Sequence, residues 1–197
     1  MKLEQMRLVG MRVVEAMAPG CERISIAGSV RRRKAEPKDL EIVYIAQMVE
    51  RRKDLFTAEV VPATEGLVIE LMASGFWRLD TEVKRNGPLY KRMVMRASSR
   101  GPDEVVVELF RAEVGNWGLQ LALRTGPAEF NHLLVTPRSQ RGAMPAGMRM
   151  AGGWLWRGEE RLESGTEEEF FGQVGVPCWE PGERSEERLE EWLREQR

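Results

Sequence analysis

Apolar residues at helical spacing open the chain. Met6, Val9, Val13 and Met17, with Leu3, Leu8, Met11 and Val14 beside them, predict a helix over residues 3–18, and Pro19-Gly20 ends it. RISIA (23–27) predicts a short strand, and residues 29–34 predict a helical turn broken by Pro37. LEIVYIA (40–46) predicts a second strand, apolar on both faces after its start. A helix is expected over residues 65–74, stopped by Gly75. Three further strands are expected over 76–84, 90–98 and 104–112, with Asn86-Gly87-Pro88 as a turn between the first two. Alternation in the last run puts Glu108 on the face shared with Val106, opposite Val107 and Leu109. The pattern predicts an α+β fold: a mixed sheet with helices on one side.

After Glu113 the pattern changes. Short helices are expected over 117–123 and 128–134, separated by Thr125-Gly126-Pro127. GMRMAGGWLWR (147–157) predicts a hairpin turning at Gly152-Gly153. Thr166 before EEEFF predicts an N-capped helix with an acidic first turn, and Ser185 to Gln196 a final amphipathic helix carrying Leu189, Trp192 and Leu193. Two segments are expected, 1–115 and a small α/β subdomain over 116–197.

The chain has 197 residues, 42% hydrophobic and 31% charged, which is the composition of a globular protein rather than a disordered one. The net charge of −1 does not announce a nucleic-acid partner, but its distribution does more. Arg31, Arg32, Arg33 and Lys34 cluster beside Gly28-Ser29, and residues 132–157 carry four arginines and no acid, ahead of an acidic tail. Cys21 and Cys178 have no metal-ligand spacing, so reduced thiols in a cytoplasmic setting are expected. No targeting segment or long apolar run is visible, so no membrane partner is expected. With His132 as the single histidine, a His-based triad or His-rich metal site is not available.

The candidate chemistry lies in IAGSVRRRKAEPKDLEIVYI (26–45). Asp39 and Glu41 sit two positions apart at the start of a strand, so they share a face, where they repel unless a cation intervenes. Gly28-Ser29 opening a helical turn offers backbone N–H groups and a hydroxyl to a phosphate. Glu108 supplies a third carboxylate on another strand. Hard divalent ions take such oxygen donors together with substrate phosphates. Each element alone also has a plain reading: a surface acid pair, an ordinary turn, a solvated basic face. Their joint order favours a metal-held triphosphate.

The same residues carry a resemblance. GSVRR (Gly28, Ser29, Arg31, Arg32), the pair Asp39 and Glu41, and Glu108 within VVVEL resemble the palm motifs of the polymerase beta-type nucleotidyltransferases, specifically DNA polymerase family X. Thr125, Gly126, Phe130 and Asn131, and later CWEPGERSE (178–186), resemble that family's thumb motifs. The resemblance implies a nucleotidyltransferase palm over 1–115 followed by a thumb-like subdomain over 116–197. It implies a minimal, monomeric DNA polymerase transferring dNMP from dNTP to a primer 3′-hydroxyl on primer-template or gapped DNA. It implies two Mg²⁺ or Mn²⁺ ions held by Asp39, Glu41 and Glu108 as catalytic and metal ligands. Nucleotide contacts are implied for Gly28, Ser29, Arg32, Thr125, Gly126 and Asn131. Lys91 lies where the family often places a DNA-contacting lysine, with a solvated strand edge as the alternative. Arg138, Arg141 and Arg149 are candidate DNA contacts by their acid-free surroundings, or simply solubilising charges. Asn131 reads equally as a contact to the nascent base pair or as a helix cap.

Departures are Glu for Asp at two metal positions, Lys38 where a glycine is usual, Arg124 in place of an aromatic, and Ala128 where the family touches the incoming base. Lyase activity on a 5′-deoxyribose phosphate is not expected. The alternatives are transfer to a non-DNA acceptor, and an inactive palm that binds DNA ends.

Overall fold

The N-terminal apolar stripe folds as helix α1 (Leu3–Met17) in the computed structural model, which describes residues 1–54, 56–81, 86–97 and 103–196. Met6, Val9, Gly10, Val13 and Met17 face inward, whereas Leu8 and Met11 are exposed, so the buried stripe is narrower than the apolar content suggests. Strand β1 (Cys21–Ile26) comes next, then a four-residue helix α2 (Gly28–Arg31) and strand β2 (Leu40–Ala46). Gly10 lets α1 lie close on β1 and β2: a Cβ there would come within 2.7 Å of the Ile26 side chain and 3.2 Å of Leu40. A hairpin of β3 (Met48–Arg52) and β4 (Ala58–Pro62) leads into α3 (Ala63–Ala73). Strands β5 (Arg78–Leu79), β6 (Tyr90–Arg96) and β7 (Glu104–Ala112) complete this part.

β1, β2, β7, β6 and β5 form one sheet in that order, parallel between β2 and β7 and antiparallel elsewhere. The sheet is therefore mixed and the class α+β. Within the expected strand over 76–84, Arg78 and Leu79 are the described residues that pair with β6. Its end at 82–84, and Ser98 in the expected strand over 90–98, lie outside the described residues.

The remaining chain forms α4 (Trp117–Thr125), α5 (Ala128–Val135), β8 (Met148–Ala151), β9 (Trp154–Arg157), β10 (Glu160–Leu162), α6 (Glu167–Val174) and α7 (Glu186–Glu195). Gly152 and Gly153 both have positive φ, +60° and +81°, as the two-residue turn between β8 and β9 requires. Thr166 caps α6 by accepting from the Glu169 N–H at 3.1 Å, and the Glu169 carboxylate accepts in return from the Thr166 N–H. Ser185 caps α7 in the same way, accepting from the Arg188 N–H at 3.2 Å. Leu119, Phe130, Leu134, Leu155, Phe170, Phe171 and Leu189 meet in one core.

The chain divides into two compact units. Met1–Ile26 with Ala35–Ala112 makes the first, and Ala27–Lys34 with Glu113–Arg197 the second. α2 thus belongs with the C-terminal residues, although β1 and β2, the strands on either side of it in sequence, belong to the first unit. Among the described residues no helix is long and apolar enough to cross a membrane.

Candidate functional site

In the first unit, strand register assembles a row of charge across the sheet. β2 and β7 run parallel with Glu41 directly opposite Glu108, and β7 and β6 run antiparallel with Glu108 opposite Arg92. Leu79 pairs with Met93, and the next residue's N–H continues the ladder by donating to the Arg92 carbonyl at 3.0 Å. That residue is Asp80, so Glu41, Glu108, Arg92 and Asp80 succeed one another over neighbouring strands. Because side chains alternate faces along a strand, this row sits opposite the face that Leu40, Ile42 and Leu109 bury.

Arg92 ties the row together. Its Nε donates to Asp80 Oδ2 at 2.8 Å and its Nη1 to Glu108 Oε1 at 3.1 Å. The same Glu108 oxygen accepts from the Tyr90 hydroxyl at 2.6 Å. Tyr90 is braced in turn by Phe110, their ring centroids lying 5.1 Å apart. Burial first, and then the Glu108 carboxylate that its hydroxyl serves, push the Tyr90 phenol up to about 12. The hydrogen bond to Asp80 foremost raises the Arg92 guanidinium further above its usual range. Asp80 is only 6% exposed, and the Arg92 guanidinium supplies its side chain with a counter-charge. Asp80 and Arg92 were not among the expected site residues. Their partnership depends on register between β5, β6 and β7, which no local pattern announces.

Asp39 directly precedes β2 and is half-buried, as is Glu41. The backbone therefore brings Glu41 beside Glu108, with Asp39 two residues before Glu41. Neighbouring strands stand about 4.8 Å apart. The side chains are not gathered round one point: among the described residues no group of three His, Cys, Asp or Glu side chains stands ready to hold a metal ion. The donors fit a hard divalent cation in kind, being all carboxylate, and Glu41 and Glu108 fit it in backbone placement.

In the second unit, Gly28 opens α2 with φ +61°, a conformation that a side chain would strain. Ser29 is 9% exposed, and its hydroxyl is buried with no hydrogen-bond partner among the described residues. The turn is held by its arginines. Arg31 donates to both oxygens of Glu167, Nη1 to Oε1 at 2.9 Å and Nη2 to Oε2 at 2.5 Å, and also to Thr125 Oγ1 at 2.8 Å. Arg32 Nη1 donates to the Thr125 carbonyl. Arg184, whose side chain is 1% exposed, donates from Nη1 to Glu167 Oε1 at 2.7 Å and from Nε to the Trp179 carbonyl at 3.0 Å. Its guanidinium also lies over the Phe171 ring. Burial alone would raise the Glu167 carboxyl, but the two arginines outweigh it and hold the group below its ordinary range. Arg184 lies in the CWEPGERSE run, and Glu167 is one of the acids expected in the first turn of α6. Their pairing with Arg31 could not be read from either place.

The other expected residues have mostly structural partners. Thr125 is fully buried and serves both Arg31 of α2 and Arg32 just after it. Asn131 acts as a cap, its Nδ2 donating to the Leu123 and Gly126 carbonyls at 2.6 and 3.0 Å, while its Oδ1 is buried without a partner among the described residues. Gly126 is required there, since a Cβ would run into the Asn131 amide. Arg138 Nε donates to the Ala143 carbonyl at 3.2 Å, Arg141 adopts φ +68°, and Arg149 lies over the Trp156 ring. Lys91 is in the first unit, opposite Leu109, on the face of the sheet away from Glu108. Cys21 is buried and Cys178 exposed, and both are free thiols. The chain matches no protein-family model, and no curated protein matches it.

Proposed function

We propose that the protein is a metal-dependent nucleotidyltransferase of the DNA polymerase family X type, adding dNMP from dNTP to a primer 3′-hydroxyl. The observation that carries this reading is the direct pairing of Glu41 with Glu108 on parallel strands, two residues after Asp39. Two carboxylates side by side on a sheet offer oxygen donors that a hard divalent cation takes, beyond the Arg92 guanidinium that already meets Glu108. Asp39, Glu41 and Glu108 would hold divalent ions, which supply Lewis acidity toward a phosphate and lower the pKa of an attacking hydroxyl. Tyr90 and Arg92 would fix the orientation of Glu108, as partners of metal-ligating carboxylates do. The Ser29 hydroxyl, buried and without a partner among the described residues, would donate to a phosphate oxygen, and Gly28 would let the backbone approach it. Arg31 and Arg32 would act by shaping this turn through Thr125 and Glu167.

Primer extension on gapped and single-stranded substrates, with Mg²⁺ and with Mn²⁺, tests the reading. Template-directed extension that vanishes in Asp39→Ala and in Glu108→Gln is the expected result. Extension at wild-type rate in Asp39→Ala would overturn it. The Arg92–Glu108 ion pair favours a second reading, an inactive palm that binds DNA ends, because it already neutralises one of the acids. A band shift with DNA ends and no incorporation under either metal would select that reading.

A further inference from the structure

The face of the sheet away from Glu108 carries a cleft of about 530 Å³ that the proposed activity does not use. Tyr44 and Arg111, paired across β2 and β7, form its floor with Lys91 of β6, and Val68, Ile69 and Met72 of α3 form a wall. All of these residues belong to the first unit. The volume lies within the range of small-molecule sites, about 300–1,000 Å³, and the wall is apolar, as in such sites. Two half-buried cations converge on it, and neither Arg111 nor Lys91 pairs with a carboxylate among the described residues. Among the described residues Lys91 Nζ reaches only the Gly87 carbonyl, at 3.5 Å, and Arg111 Nη2 only the Met48 sulfur, at 3.9 Å. Glu65 lines the cleft without ion-pairing to either, so the lining keeps a net positive charge. A half-buried cation that has given up water without gaining a counter-ion is a standing cost, removed by an anion. Ile69 at the wall is 66% exposed, which leaves the cleft open to solvent on that side.

We propose that this cleft binds a small amphiphilic anion. A carboxylate, sulfonate or phosphate would sit between Arg111 and Lys91, and an apolar body would lie against Val68, Ile69 and Met72. Titration of the full chain with anilinonaphthalene sulfonate at low salt tests it, read by dye fluorescence. The neutral parent, anilinonaphthalene, is titrated alongside to separate charge from apolar burial. The expected result is saturable dye binding that weakens at least tenfold in Lys91→Gln/Arg111→Gln, while the neutral parent changes less than twofold. Met72→Trp, which fills the wall, should weaken both. If the double variant loses its fold by circular dichroism, Lys91→Gln alone should still weaken the sulfonate and spare the neutral parent. Sulfonate binding that is unchanged by these charge removals would overturn the proposal. So would a sedimentation profile showing that the dye is displaced by self-association, which would make the cleft an interface between copies.

Discussion

Arg92 serves two carboxylates with one guanidinium, and the consequences are local. Replacing it with Met takes away the cation that bridges buried Asp80 and half-buried Glu108. Removing one partner of a buried polar group costs about 1–3 kcal/mol. Arg92→Met should therefore lower the urea midpoint with an unchanged slope, since the folded area is unaffected. An unchanged midpoint would mean that the ion pairs contribute nothing. Glu167 makes a prediction in pH. Its carboxyl is held below the ordinary value of 4.5, so the unfolded chain binds the proton more readily than the folded one. Stability from this group is full above that ordinary value and drains away as pH falls through the lowered one. The acid-side loss of melting temperature should be shallower in Glu167→Gln, whose amide does not titrate, although that variant starts less stable. Equal slopes in the two proteins would show that the two arginines do not hold the carboxylate in its charged form.

At the scale of elements, close approach is set by single glycines. A Cβ on Gly118 would run into the Thr166 carbonyl, where α4 passes the cap of α6. Gly118→Ala should cost about 1–3 kcal/mol, the usual range for forced overpacking, despite the better helix propensity of alanine. A thermal melt equal to wild type would show that the two helices can separate freely. The elements that the sequence makes legible are those with a strong period or strong punctuation. The apolar run of β2, the alternation in β7, the glycine pair between β8 and β9 and the Thr166 cap all lie where local pattern puts them. The β3–β4 hairpin was not expected, because β3 is exposed at every position and has no buried face to betray it. β10 is three residues long and mostly polar, too short for a period to register. The site divides the same way. Asp39 and Glu41 stand out from their spacing, and Glu108 from its place in an apolar strand. The Arg92–Asp80 and Arg31–Glu167–Arg184 groups depend on pairings between distant elements, and local sequence carries no trace of those.

At the scale of the molecule, the second unit is discontinuous in sequence. Its C-terminal residues lean on an eight-residue visitor, Ala27–Lys34, that supplies Arg31 to Glu167 and both Arg31 and Arg32 to Thr125. A fragment spanning 113–197 keeps the Phe130–Phe171 core but leaves Glu167 with Arg184 alone. That fragment should melt at a lower temperature than the same segment does in the full chain. Adding a peptide of residues 27–34 should raise it detectably. A fragment as stable as the intact segment would show that the visitor is only a passenger.

The bond between Arg31 and Glu167 spans 136 positions, and Arg184 joins them still later. During synthesis the basic turn is made first and waits, its counter-charge unbuilt, until Glu167 has been added. A truncation that removes α7 and the few residues before it would therefore be felt at α2, where Arg31 would face a carboxylate that has lost its second cation.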